Sequence, residues 1–152
     1  MGIRLLTRTA DRIELIAPTD DAVDQATLGR WESDPDREAD LSRVRAYCLG
    51  DSRDVSVLPM LPGVEPVRLV VRPLNSRELA IARSDGQRNW GALAYDLVRL
   101  GLVELRGMTV VLPREDYHGI NALTLDAVAQ LPLSVVQFLA THILKASTLH
   151  PF

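Results

Sequence analysis

The sequence predicts an α+β fold: a small β-rich N-terminal part packed on a helical C-terminal part. Three observations carry this. Arg12 to Ile16 and Val67 to Arg72 read as strands, the first by alternation and the second by β-branched content. Trp90 to Leu100 and Ser134 to Ser147 carry apolar residues at helical spacing. Between the two strands lies a stretch, 50–66, with Gly50, Pro59, Pro62, Gly63 and Pro66, which no helix can cross. The 152 residues suit a single domain, divided into a β-leaning acidic part (1–73) and a helical part with a small hairpin (74–152).

Taken in order, the strand Arg12–Ile16 is followed by an acidic segment from Asp20 to Asp40. Within it Asp34 and Pro35 read as N-cap and N1 of a helix, because the missing proline N–H would be unpaired there anyway. Leu41, Val44 and Cys48 share one face of that helix, and Gly50 ends it. Val55 to Leu58 reads as a short strand and Pro59 to Gly63 as a turn or exposed loop. Val67 to Arg72, closed by Pro73, is the strongest strand. Asn75 or Ser76 caps the next helix, with Glu78 in its first turn close to a capping box. Leu93, Leu97 and Leu100 then mark a helix from Trp90 that stops at Gly101. Leu102–Leu105 and Met108–Leu112, on either side of Arg106-Gly107, predict a hairpin. Leu123 to Gln130 and Ser134 to Ser147 complete the helices; Ser134 is the expected cap and Lys145 suits the last turn.

Residues 1–54 hold 12 acids and 8 arginines, a net of −4, while 55–152 carry a net of +1. A chain of net charge −3 and pI about 5.6 is not a general binder of nucleic acid. Sixteen of the 17 basic residues are Arg, which suits a GC-rich coding sequence or an interface needing forked donors. Cys48 is the one cysteine, so no internal disulfide forms; its apolar neighbours make it a structural thiol. The N-terminus has no long apolar segment of a signal peptide, and no apolar run reaches the roughly 18 residues of a membrane span.

Chemistry is sparse. The histidines at 118, 142 and 150 and Cys48 show no metal-ligand spacing. His142 falls on an apolar helical face, as a hydrogen-bonded core or interface group does. Glu115, Asp116 and His118 are the densest titratable cluster, yet neighbouring residues diverge and no nucleophile accompanies them; a solvated loop is the expectation. The acids Asp34, Asp36, Glu38 and Asp40 lack the glycine and terminal Glu of a calcium loop and read as a charged helix start. Glycines are dispersed, with no phosphate loop. The expectation is no catalytic residue, no cofactor and no metal. One layout points instead to nucleic acid. Arg83, Arg88, Asn89 and Trp90 precede a helix that a small hairpin follows, as in a winged-helix reader, although Arg99 is the helix's one basic residue.

Arg72-Pro73-Leu74-Asn75-Ser76-Arg77-Glu78, then Tyr95 through Leu100-Gly101-Leu102-Val103-Glu104, and a closing helix over Pro132 to Leu149, resemble tailed-bacteriophage tail assembly chaperones and related small virion structural proteins. The resemblance covers about half the chain; the first 54 residues and the Pro-rich loop have no counterpart in it. It implies a non-enzymatic morphogenesis or virion protein, made in the host cytoplasm and either incorporated into the particle or active only in assembly. It implies contacts with other phage structural proteins and a homo-oligomer, with no membrane. Such a protein needs apolar anchors. The candidates are Trp31, Met60, Leu61, Trp90 and Phe152; core packing is the alternative for each Trp, and a frayed end for Phe152.

Overall fold

In the computed structural model, residues 12–86 and 89–148 are described. Strands β1 (Ile13–Leu15), β2 (Arg68–Val71) and β3 (Leu102–Arg106) form an antiparallel sheet in that order. The register pairs Ile13 with Val71 and Leu69 with Leu105, and shifts between Val70 and Val71. Helices α1 (Gln25–Glu32) and α2 (Glu38–Cys48) fill the connection from β1 to β2. Helices α3 (Ser76–Gly86) and α4 (Trp90–Gly101) fill that from β2 to β3. A hairpin, β4 (Arg114–Tyr117) with β5 (Ile120–Leu123), packs on α4, and α5 (Leu125–Ala129) and α6 (Leu133–Thr148) close the chain. The class is α+β, and one apolar core holds residues from both parts, from Ile13 and Tyr47 to Leu97 and Ile143.

Helix α4 is the hub, buried from Leu97 through Gly101. Asn89 caps it, its Oδ1 accepting from the Ala92 N–H at 2.8 Å. It packs against α6 most closely at Gly101, where an added Cβ would sit 2.7 Å from Cδ1 of Ile143. The expected capping box forms on α3. Glu78 accepts from the Asn75 N–H at 3.0 Å, and Asn75 Oδ1 accepts from the Glu78 N–H at 2.9 Å.

Several expectations are corrected. The hairpin lies not about Arg106-Gly107 but about His118-Gly119, whose φ angles of 55° and 81° are the paired left-handed residues of a type I′ turn. Met108–Leu112 forms no strand. At the start of β3 the Arg114 guanidinium takes the carbonyls of Leu102 (2.9 Å) and Val103 (2.7 Å), where the far end of such a strand would pair. Val55–Val57 is a 3-10 turn capped by Asp54, which accepts from the Ser56 N–H at 3.0 Å. Helix α1, capped by Asp24, lies in the acidic segment ahead of the expected Asp34 start, where the sequence predicts no element. Asp34 caps a 3-10 turn (Pro35–Arg37) that leads into α2. Helix α5 begins only at Leu125, since Leu123 belongs to β5, and Thr124 caps it. Helix α6 begins at Leu133, one residue before Ser134, with the Pro132 carbonyl accepting from the N–H groups of Val135 and Val136.

Candidate interaction surfaces

The polar groups that reach the interior are structural. Arg99, on buried α4, donates from Nε to the Leu123 carbonyl (2.9 Å) and from Nη2 to Glu115 (2.7 Å), with the Tyr117 ring 4.0 Å from its guanidinium carbon. It fastens the hairpin to the helix. The cluster read as a loop, Glu115 to His118, is therefore strand and turn, and Glu115 is committed to Arg99. His142 is buried against Tyr47 and Phe138, and its Nε2 lies 2.7 Å from the Tyr47 carbonyl. A carbonyl only accepts, so Nε2 carries the proton. Burial pulls the imidazole pKa below its ordinary value, keeping the ring neutral. Cys48 is half-buried, and burial pushes its thiol pKa up, away from the nucleophilic thiolate. No group of His, Cys, Asp and Glu suited to a metal ion occurs among the described residues. No helix of theirs is long and apolar enough to cross a membrane.

The surface carries apolar groups instead. Two open clefts of about 350 and 310 Å³ flank the first turn of α6 and share Ala17 and Thr19 in their walls. Trp90, Cys48 and Phe138 line the first; Leu105, Met108, Leu131 and Val135 line the second. Trp90, Met108 and Leu133 stand 40, 48 and 55% exposed beside them. Oxygens of Asp20 accept from the N–H groups of Ala22 (2.8 Å) and Val67 (3.0 Å) and brace the wall of the second cleft.

Of the five anchors expected from the sequence, Trp90 belongs to this surface. Trp31 is half-buried on α1 under the Arg37 guanidinium, 5.6 Å from its ring centroid, and lines two other clefts. Met60 and Leu61 are each 37% exposed and tied to the 22–23 segment, by a Val23–Met60 bridge and a Leu61 N–H donating to the Ala22 carbonyl at 2.7 Å. Phe152 lies outside the described residues. Met108, Val135 and Leu133 were missed. Met108 sits in a predicted strand, Val135 in a predicted helix and Leu133 just before it, and nothing in the sequence marks such residues as surface.

No protein-family model matches the chain, and the curated proteins and solved structures yield no match either. The functional reading rests on the surface itself. Of the residues in the layout that suggested a nucleic-acid reader, Arg99 is buried, Arg106 donates to Glu104 (2.7 Å) and Glu14 (3.2 Å), and Arg88 lies outside the described residues.

Proposed function

We propose that this chain is a non-enzymatic bacteriophage morphogenesis or virion protein, working through protein–protein contacts in head, connector or tail assembly. The observation that carries the reading is the pair of neighbouring clefts at the start of α6, with exposed Trp90 and Met108 in their walls and exposed Leu133 as the helix's first residue. Contiguous apolar surface with an aromatic anchor is the composition of a protein-binding patch, and water is a poor partner for it. The resemblance of the Arg72–Glu104 region to tail assembly chaperones and small virion proteins names the setting. The partner is an apolar segment of another phage structural protein, such as one face of an amphipathic helix, whose anchor residues would enter the two clefts.

Co-expression with head, connector and tail proteins, followed by affinity purification and mass measurement in solution, tests this. The wild type co-purifies with one of them at defined stoichiometry, and Trp90→Ser with Leu133→Ser loses that partner while retaining its helical circular dichroism. A chain that engages none of them, or a double variant that keeps its partner, would sink the proposal.

A further inference from the structure

A second feature of the surface is polar and lies elsewhere. Arg12, Arg72 and Arg114 line one cleft of about 310 Å³, with Asn121 on its wall and Leu100, Leu102 and Val103 as apolar lining. The fold forces this convergence. The β1–β2 register pairs Ile13 with Val71, so one step further Arg12 stands opposite Arg72. Like charges directly opposite on neighbouring strands are unfavourable. Arg114 arrives from β4 and spends its hydrogen bonds on the carbonyls of Leu102 and Val103. Among the described residues one carboxylate answers the three guanidiniums: Glu78, which takes both Nη groups of Arg72. Neighbouring Glu115 is held by Arg99. Arg12 is exposed and has no ion-pair partner among the described residues. Burial, and then the charge of Arg72, pull the Arg114 pKa below its ordinary value, a sign of positive charge in excess.

The same chain carries the complement. Every residue from Glu32 to Ala39, the end of α1 and the 3-10 turn into α2, is exposed. Acids stand at 32, 34, 36 and 38. Asp40 is taken by Arg37 and Arg43 at 3.1 and 3.2 Å, but Glu32, Asp36 and Glu38 pair with no base among the described residues. We propose that the Arg12–Arg72–Arg114 cleft receives the acidic Glu32–Glu38 projection of a second copy of this chain, in a head-to-tail contact. Carboxylates fit guanidinium forks bidentately, and two different patches meeting give a ring or a filament according to whether the rotation closes. This contact is separate from the apolar clefts and does not rest on them.

Sedimentation velocity on the full chain tests it. The wild type sediments faster than a monomer near 50 mM salt and returns to monomer near 500 mM, where the screening length is only a few ångströms. Arg12→Glu, and separately Glu32→Arg with Asp36→Arg, weaken association about a hundredfold. Mixing the two variants restores a contact, because the intact acidic projection of the Arg12→Glu chain then meets the intact cleft of the other. All substitutions are at exposed positions, and circular dichroism verifies folding. A wild type that stays monomeric at low salt overturns the proposal, whether or not inorganic phosphate raises its melting temperature. So does association that survives Arg12→Glu, or a mixture that remains monomeric. Trp90→Ser with Leu133→Ser leaves this association intact, so its failure is distinguishable from failure of the partner-binding surface.

Discussion

The two helical regions of this molecule are held in opposite ways. Helices α4 and α6 are built into the core along much of their length, with Leu97, Leu100, Leu139 and Ile143 fully enclosed. Helix α1 buries no residue, and α2 buries only Val44 and Tyr47. The central pair is fixed by many buried side chains, whereas the acidic arm reaches the core through few: Val44 and Tyr47, with Leu28, Trp31 and Cys48 packed beside them, and of these Tyr47 alone is fully enclosed. The Tyr47 hydroxyl accepts from the Ile16 N–H at 2.8 Å and donates to the Ile16 carbonyl, while its ring packs on Phe138 and its carbonyl takes the His142 proton. One residue thus joins α2 to the strand end and to α6.

The largest effect should follow from removing that residue. Tyr47→Ala deletes a fully buried ring and should cost about 3–5 kcal/mol in chemical denaturation. Tyr47→Phe keeps the ring but leaves a buried N–H and carbonyl of Ile16 without partners, for about 1–3 kcal/mol. If Tyr47→Ala costs no more than a surface substitution, this account of the arm is wrong.

This contrast also decides what the sequence could show. Helix α4 was legible because Leu93, Leu97 and Leu100 repeat at helical spacing and the fold buries that face. Helix α1 was not, since Leu28 and Trp31 are its large apolar residues and neither is buried; its visible signal was Asp24 as N-cap. The hairpin was misplaced for a different reason. Thr109 to Val111 have the β-branched content of a strand, but the Leu102 and Val103 carbonyls at the start of β3 are taken by Arg114. Arg114-Glu115-Asp116-Tyr117 lack apolar alternation yet pair with β5, held through Glu115 on Arg99 and turned by His118-Gly119. The Arg cleft was beyond reach. Residues 12, 72 and 114 come together only through the β1–β2 register and the position of β4.

Acid should act first at the contact between α6 and the arm, through His142, and then at the start of α3, through Glu78. His142 has a folded pKa below its ordinary value of 6.5, because burial and then the nearby Arg53 charge oppose protonation. The unfolded chain therefore takes up this proton first. Its contribution is complete above about pH 6.5 and declines as the pH falls toward the folded value. Glu78 responds lower. Burial raises its pKa, but the hydrogen bonds from Arg72 and Asn75 and the charges of Arg72 and Arg77 outweigh that, and the net direction is below 4.5. Its contribution is present above that pH and is lost as the pH falls through the lowered folded value. Stability measured against pH should be level above neutrality and drop in two stages. His142→Gln flattens the upper stage. Glu78→Gln shrinks the lower one without abolishing it, since Thr27 and Ser56 hold Asp24 and Asp54 below their ordinary values as well. A single transition unchanged by either substitution would contradict this assignment.

The smallest effect should come from the other end of the arm. Asp24 caps α1 twice over, Oδ1 accepting from the Thr27 N–H at 3.1 Å and Oδ2 from the Thr27 hydroxyl at 2.8 Å. Removing a cap exposes N–H groups that water can satisfy, and α1 meets the core only through the partly buried Leu28 and Trp31. Asp24→Ala should therefore leave global unfolding almost unchanged while speeding hydrogen exchange at the amides of Thr27 to Trp31. Faster exchange that extended into α2 as far as Tyr47 would mean that α1 and α2 open as one unit. Faster exchange confined to α1 would place the boundary of the firmly held structure at the 3-10 turn, with the acidic projection on its mobile side.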